Sequence, residues 1–291
     1  MGGEKTDMSH SGTRFKRNKA GNAVMFLFIA VIGIFMLIPF IYIINNAFKP
    51  IEELFRFPPR IFVQNPTLSN FVTMFNLLSE TAMPFSRYVF NTVFLTVTGA
   101  AGQIILASLC AYSLAMIPFP GSKFVFKIIV FSLMFSSTVT AVPSTIIFAK
   151  LGLIDTYAGM LLPVLVSTMG LYLMKQFMES AISPTLLEAG RIDGAGELRI
   201  FFKIAMPLLK PAWLTLIILS IQSLWGAQSA NTYSEVYKTL TQALSHIAVG
   251  GIERTGAGAA ISLIMISVPM VCFIVMQSNI IDTMASSGIK G

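Results

Sequence analysis

The stretch Ala20–Phe48, AGNAVMFLFIAVIGIFMLIPFIYIINNAF, contains no Asp, Glu, Lys or Arg in 29 consecutive residues. A helix that crosses a bilayer needs about 20 apolar residues, because each residue rises about 1.5 Å and the hydrocarbon core is about 30 Å thick. A basic segment with Arg14, Arg17 and Lys19 precedes this stretch. Because the apolar run is longer than a signal-peptide core, we predict a retained transmembrane helix over residues 22–48.

Five further windows also lack ionisable Asp, Glu, Lys and Arg: Tyr88–Ser122, Ile128–Ala149, Thr156–Met174, Pro211–Ser234 and Thr255–Ile281. Each is long enough to cross a bilayer. The 291-residue chain is 55% hydrophobic and 11% charged, whereas a soluble domain carries about 25% charged residues. The sequence therefore predicts an all-α polytopic membrane protein with six transmembrane helices.

One uncharged stretch, Ile61–Ser79, does not fit a membrane span. It is long enough, but it contains many polar side chains, among them Gln64, Asn65, Asn70 and Asn76. Polar groups without partners are costly in lipid. We therefore predict that residues 49–87 form an extracytoplasmic loop.

The distribution of basic residues predicts the orientation. With six spans, the loops on the side of the two termini hold thirteen Lys and Arg, and the opposite loops hold seven. Cytoplasmic loops carry the excess of Lys and Arg. We therefore expect cytoplasmic tails over residues 1–21 and 283–291, and a permease core of five helices over residues 88–282. The net charge of +7 is then explained by the membrane flanks and needs no nucleic-acid partner.

The sequence also limits the chemistry. The six windows hold no acidic or basic side chain and no His, whereas ion-coupled carriers usually place such groups near the midplane. The chain has no P-loop, zinc-protease or nucleophile-elbow motif, so we predict neither catalytic residues nor a metal site. Cys110 and Cys272 fall within windows, where cysteine behaves as a small hydrophobe. Uphill transport would therefore need energy from another subunit.

The stretch Ser183–Pro207, SPTLLEAGRIDGAGELRIFFKIAMP, lies between the fourth and fifth windows, on the predicted cytoplasmic side. Ser183 and Pro184 suit a helix start, and Asp193 and Gly194 suit an interruption. The second half predicts another helix that Pro207 ends. Its apolar stripe, at helical spacing, consists of Leu198, Phe201, Phe202 and Ala205.

This stretch resembles the EAA motif of ABC importer permeases, a Glu-Ala-Ala followed by a Gly, an Ile and a Leu-Pro pair. The matching positions are Glu188, Ala189, Gly190, Gly194, Ile204, Met206 and Pro207. Gly190 replaces the third residue, Ala, and Met206 replaces Leu. The resemblance covers most of the chain from about Tyr88 and is closest to permeases of the maltose-transporter smaller-subunit type, in particular those for polysaccharides and uronate oligosaccharides.

The resemblance implies a type I ABC importer permease whose loop 176–207 carries a coupling helix that docks on an ATP-binding subunit. The residues implied in coupling are Glu188, Ala189, Gly190, Asp193, Gly194, Ala195, Ile204 and Pro207. Expected partners are a second homologous permease, a dimer of ATP-binding subunits that holds ATP and Mg²⁺, an extracytoplasmic sugar-binding protein, and the lipids of a bacterial cytoplasmic membrane. The alternative for this loop is a surface hairpin rich in small residues.

Polar residues within two windows are candidates for the transport pathway. The fifth window carries Gln222, Trp225 and Ser229 on roughly one helical face, and the third carries Ser136 and Thr140 at a spacing of four. A glycan needs hydrogen bonds and an aromatic platform, which these side chains offer. The alternative is that they make the helix contacts through small and hydroxyl residues that membrane bundles commonly use.

Two other classes of protein remain as alternatives. A stand-alone secondary carrier or facilitator usually has an internal repeat and a coupling-ion site, and an intramembrane enzyme needs a catalytic dyad or metal cluster. The sequence shows neither set of features. We therefore predict the permease subunit of an oligosaccharide importer, which is not itself an enzyme.

Overall fold

The computed structural model describes residues 19–80, 83–228, 231–248, 251 and 254–287. All regular elements in these ranges are helices, so the all-α prediction is confirmed. Most of the predicted N-terminal tail, the end of the C-terminal tail and the candidate Ser229 lie outside the described residues.

The first element, α1 (Lys19–Phe48), occupies the first charge-free window, and the short α2 (Ile51–Leu54) follows it. The stretch that we predict to be only a loop contains a helix, α3 (Ser69–Ser79). This helix buries Met74 and Leu78, and the Asn70 amide donates hydrogen bonds of 3.0 Å and 2.7 Å to the carbonyls of Ala47 and Lys49. The polar side chain therefore binds the end of α1 and fixes α3 against it.

The second window forms one helix, α4 (Phe85–Met116). The third does not, because it is divided between α5 (Ser122–Ser132) and α6 (Ser137–Lys150). After α5 the chain closes tight turns, and the Ser136 hydroxyl then accepts a 3.3 Å hydrogen bond from the Thr138 amide at the start of α6. A serine that caps a new helix competes with continuation of the old one. The third window is therefore not one continuous helix, and the predicted count of six transmembrane helices is not confirmed.

The fourth window forms α7 (Tyr157–Leu165) and α8 (Thr168–Ala181), which together make one span-length unit. Beyond α8 come α9 (Pro184–Ile192), α10 (Glu197–Ile200), a π-helical turn over Phe201–Ala205, and α11 (Met206–Leu208). The helical path thus runs through Pro207, which is the second residue of α11 and does not end the helix as predicted. It ends one residue later.

The fifth window begins with α12 (Lys210–Trp225), whose 16 residues end well before Ser234. The segments Glu197–Leu208 and Lys210–Trp225 are bent by 81° at Leu209. A 3₁₀ turn at Glu235–Tyr237, α13 (Leu240–Ala248) and α14 (Thr255–Ser287) complete the described chain. Four helical units within it are long and apolar enough to span a membrane, or five if the bent pair is one span.

The buried side chains form two cores at opposite ends of α4. One contains Tyr112 of α4, Met178 of α8, Leu187 of α9 and Phe201 of the π-helical turn. The other joins Tyr88 of α4 to residues of α3, α13 and α14. Because α4 contributes to both cores, it connects the predicted cytoplasmic loop to the predicted external segments.

Candidate functional site

The candidate site is the hairpin Pro184–Leu208, which we call the coupling hairpin after the role that the resemblance implies. Its first arm is α9, and its second arm runs from α10 to α11. The Gly194 and Ala195 amides donate hydrogen bonds of 3.0 Å each to the carbonyls of Arg191 and Gly190. This pair of bonds is a Schellman motif, which requires a left-handed residue after the helix. Gly194 fills that position with φ +79°. The predicted interruption at Asp193 and Gly194 is therefore a defined reversal of the chain.

The second arm buries a different face from the predicted one. Ile200, Phe201 and Ala205 are buried, whereas Leu198 and Phe202 are exposed by 68% and 57%. The buried face is centred on Ile200 and Phe201, so Leu198 and Phe202 lie outside it on either side. The predicted stripe is thus wrong at Leu198 and Phe202 and correct at Phe201 and Ala205.

The two arms pack closely at Gly190. A Cβ atom on Gly190 would lie 3.2 Å from Ile204 Cδ1 and 3.4 Å from Ile200 Cγ1. The small size of Gly190, and the contact of Ile204 with it, therefore serve packing inside the hairpin. Ala195 also packs against the adjoining core.

The tip of the hairpin is exposed, in contrast to the closely packed arms. Glu188, Ala189, Asp193 and Gly194 are exposed, and a Cβ atom on Gly194 would meet nothing within 4 Å. Pro207, at the far end of the second arm, is exposed as well. The structure therefore places four of the predicted coupling residues on the open surface of the tip, which can accept a partner. They are Glu188, Ala189, Asp193 and Gly194.

A polar cluster that the sequence did not reveal joins the hairpin to α4. Glu197 accepts hydrogen bonds from Tyr112 Oη at 2.8 Å and from Arg191 Nε at 2.7 Å. The bond to Glu197 raises the already high pKa of the Arg191 guanidinium. Arg191 also donates to the Met116 carbonyl at 3.4 Å. An Arg and a Glu on facing arms are visible in the sequence, but Tyr112 lies too far away in the chain to be assigned to them.

Two of the pathway candidates lie together. Gln222 and Trp225 line a cavity of about 300 Å³ with Ile43 of α1 and Met265 of α14. Trp225 is mostly buried, and its indole Nε1 donates a 3.1 Å hydrogen bond to the Met265 carbonyl. Ser136 and Thr140 do not line this cavity. Thr140 lies on α6, and Ser136 caps the start of that helix.

At the opposite end of α4, Asn91 and Thr92 bind the loop that follows α12. The Asn91 amide donates to the Val236 and Lys238 carbonyls at 2.8 Å and 2.9 Å, and its oxygen accepts from Tyr157 Oη at 3.1 Å. Thr92 Oγ1 accepts from the Leu240 amide at 2.7 Å. This segment, residues 231–240, is thus fixed to α4.

Acidic side chains hold the same segment. Asp155 accepts hydrogen bonds from the Tyr233 and Ser234 amides at 2.6 Å and 2.8 Å. Glu235 forms a 2.5 Å ion pair with Lys238 and accepts from Tyr88 at 2.9 Å. Burial alone would raise the pKa of the Glu235 carboxyl, but the hydrogen bonds from Lys238 and Tyr88 outweigh it and hold that pKa below its usual 4.5.

Among the residues that the structure describes, no group of three His, Cys, Asp or Glu side chains is placed to hold a metal ion. The polar clusters at the two ends of α4 use their hydrogen-bonding groups within the fold. The open tip of the hairpin is thus the surface best suited to an external partner.

The chain matches a known protein family and several known transport proteins. Residues 103–284 match the family described as binding-protein-dependent transport system inner membrane component. The chain is 29% identical to protein LplC of Bacillus subtilis, and 30% identical to that organism's polygalacturonan/rhamnogalacturonan transport system permease protein YtcP, with 75% of this chain and 71% of the relative covered in each case. It is 30% identical to the arabinooligosaccharides transport system permease protein AraQ of Halalkalibacterium halodurans, over 69% of this chain and 70% of that protein.

A solved structure has the same fold. It is a chain of a bacterial ABC transporter involved in the import of the acidic polysaccharide alginate, with a TM-score of 0.74 and 23% sequence identity. The match covers 90% of this chain and 98% of that one.

Proposed function

Since the chain belongs to the family of binding-protein-dependent transport system inner membrane components and is a multi-pass ABC importer permease, we propose that it passes oligosaccharides through the membrane. It is a transport subunit and not an enzyme. The relatives favour this function over a stand-alone secondary carrier or facilitator. The family implies that the chain works with other importer components, such as a second permease and a binding protein.

The observation that carries the coupling proposal is the open tip of the coupling hairpin. Glu188, Ala189, Asp193 and Gly194 are exposed there, while Gly190 and Ile204 lie inside the hairpin. We infer that the tip docks in a groove of an ATP-binding subunit, with Glu188 as the charged contact and Gly194 admitting a close approach. Two such subunits bind ATP and Mg²⁺ and close on each other, and the hairpin transmits their movement.

The substrate class is inferred from the relatives and from the cavity on α12. The names of two relatives refer to polygalacturonan or rhamnogalacturonan and to arabinooligosaccharides. Trp225 offers an aromatic face and Gln222 an amide in one cavity, and such a pair suits a sugar ring. We assign Gln222 and Trp225 to the pathway first, and Ser229, Ser136 and Thr140 as further candidates.

The proposed orientation places both termini and the hairpin in the cytoplasm of a bacterium. It is supported by the excess of Lys and Arg in the loops on that side. Single cysteines at Ile192 and Tyr233, which are both exposed, test this orientation. With a membrane-impermeant maleimide, intact spheroplasts should label Tyr233→Cys, and only opened membranes should label Ile192→Cys. The reverse pattern would invert the orientation.

The coupling proposal is tested by adding bulk at Gly194. The importer is purified with its partners, and uptake into proteoliposomes and ATP hydrolysis are measured on the same preparation. Gly194→Trp projects an indole into open space at the tip, so uptake should fall at least about tenfold while the subunit stays in the membrane. Gly194→Ala has the same left-handed backbone strain without the bulk and should keep most of the uptake. Normal uptake by Gly194→Trp would contradict the docking surface.

The assignment as an importer subunit has its own test. In mild detergent a second permease and an ATP-binding subunit should co-purify with this chain in fixed stoichiometry. A chain that transports alone in proteoliposomes would exclude the proposed mechanism.

A further inference from the structure

A cavity of about 640 Å³ lies beside the coupling hairpin, between the end of α4, the start of α5, α8 and α9. Met116 and Pro118 form part of one wall, and Leu187 of α9 forms part of another. Glu188 and Arg191 of the hairpin also line it. Whatever fills this cavity therefore touches the first arm of the hairpin.

The cavity is lined by more cations than carboxylates. Its basic side chains are Lys123, Lys127, Lys175 and Arg191, and its acidic ones are Glu179 and Glu188. Two of the cations have partners. Lys175 forms a 2.5 Å ion pair with Glu179 and lies 4.2 Å from the centre of the Phe126 ring, and Arg191 binds Glu197.

Lys123 and Lys127 are the two remaining basic residues of the cavity. Within the described ranges neither lysine side chain has a hydrogen bond or an ion pair, and both residues are exposed. They lie four residues apart, so they share one face of α5. Lys123 is also the second residue of α5, where the helix dipole disfavours a positive charge. A bound anion would relieve both their mutual repulsion and the unfavourable interaction with the dipole.

The neighbouring face of α5 indicates where the anion comes from. Phe124, Ile128 and Phe131 lie along one stripe of the helix and are exposed by 68%, 54% and 58%. Such a stripe suits lipid acyl chains, and lysines beside it suit the headgroup level of the membrane. An anionic phospholipid offers both parts in one molecule, whereas free phosphate leaves the stripe uncovered.

We propose that this cavity binds the headgroup phosphate of an anionic phospholipid from the cytoplasmic leaflet, held by Lys123 and Lys127, with its acyl chains along α5. The proposal rests on the proposed orientation, which puts α5 at the cytoplasmic surface. The lipid then lies beside Leu187 and Arg191 of α9, so its presence restricts the position of the hairpin's first arm. Basic pockets between helices on this side of a membrane commonly recognise anionic headgroups.

The test uses the complete importer assembly, delipidated in detergent and titrated with dioleoyl phosphatidylglycerol in native mass spectrometry. Dioleoyl phosphatidylcholine is the matched lipid without net charge. We expect the wild-type assembly to retain at least one phosphatidylglycerol more tightly than phosphatidylcholine. The double variant Lys123→Gln/Lys127→Gln should weaken that binding by about tenfold, because each basic residue near an anionic headgroup contributes to the binding free energy. Lys210→Gln removes an exposed lysine outside the cavity and should leave binding unchanged.

Several outcomes would overturn the proposal. They are equal retention of the two lipids, equal loss of binding in the double variant and the Lys210→Gln control, or full displacement of the lipid by millimolar inorganic phosphate. The last would assign the site to a soluble phosphate. Absence of the assembly itself would count against the proposed function, whereas an intact assembly without selective binding counts against this site alone.

Discussion

Tyr112 Oη donates a 2.8 Å hydrogen bond to Glu197 Oε2, and the two residues are 85 positions apart. Tyr112 is only 3% exposed and also packs against the Phe201 ring with a centroid separation of 5.4 Å. One side chain of α4 therefore contacts the second arm of the coupling hairpin through both a polar and an aromatic contact. The hairpin is thus fixed to a membrane span close to its own turn.

Removing this hydrogen bond should loosen the hairpin. Tyr112→Phe keeps the ring contact with Phe201 and leaves Glu197 with Arg191 alone. We expect a loss of about 2 kcal/mol in unfolding free energy, since the acceptor is charged, and a fall in uptake per ATP hydrolysed. Thermal unfolding in detergent and coupled uptake assays measure the two effects. Tyr233→Phe, at an exposed tyrosine, is the control, and equal effects in both variants would contradict the role of the bond.

Filling the space at Gly190 should separate the arms of the hairpin. Gly190→Leu forces a side chain against Ile200 and Ile204, and overpacking of this kind costs about 1 to 3 kcal/mol. Gly196→Leu places the same side chain where a Cβ meets nothing within 4 Å, so only a small capping cost of about 1 kcal/mol or less is expected. The difference in melting temperature measures the packing. If Gly196→Leu were the more destabilised variant, the tight contact would be wrong.

The Asn91 amide should be essential for the segment 231–240. Asn91→Leu fills a similar volume but leaves the carbonyls of Val236 and Lys238 without their donor, which should cost about 2 to 3 kcal/mol. Limited proteolysis between Asn231 and Leu240 should accelerate in this variant. The matched change, Asn76→Leu, lies at an exposed position of α3 and should leave that cleavage rate as it is in the wild type. A wild-type rate in Asn91→Leu would show that other contacts suffice.

The Glu235 carboxylate should make stability depend on pH. Its pKa is lower in the folded protein than the usual 4.5, so its contribution is fully present above about pH 4.5 and is lost as pH falls through the folded pKa. Melting temperatures measured from about pH 7 down to about pH 3.5 test this. Glu235→Gln should flatten the acid part of the curve, whereas Glu52→Gln, at an exposed carboxylate, should not. Identical curves for all three proteins would contradict the assignment.

The features that the sequence predicts well are local ones. Ala20–Phe48 forms a helix because its apolar run is uninterrupted, and α9 begins at Pro184 and ends before Gly194 because those residues favour these backbone positions. The family resemblance likewise depends on short local spacing. Such patterns do not depend on contacts with other helices of the bundle.

The features that the sequence does not predict depend on competition between local structures or on contacts between residues that lie far apart in the chain. Ser136 caps a new helix within a charge-free window, and a buried face centred on Ile200 and Phe201 leaves Leu198 and Phe202 exposed. The partners of Asn91 and of Tyr112 lie far along the chain, so their roles require the folded arrangement. Asn70 of α3 binds carbonyls at the end of α1, which composition alone does not show.

The bend of 81° at Leu209 joins the second arm of the hairpin to α12, so a rotation at Leu209 displaces the far end of α12 the most. With 16 residues at about 1.5 Å each, this helix is about 24 Å long, so a tilt of about 5° at Leu209 moves the Trp225 end by about 2 Å. A shift of that size is comparable to the radius of a water molecule. Under the proposed coupling, a small sideways movement of the hairpin would therefore change which molecules fit beside Trp225, without any helix having to unfold.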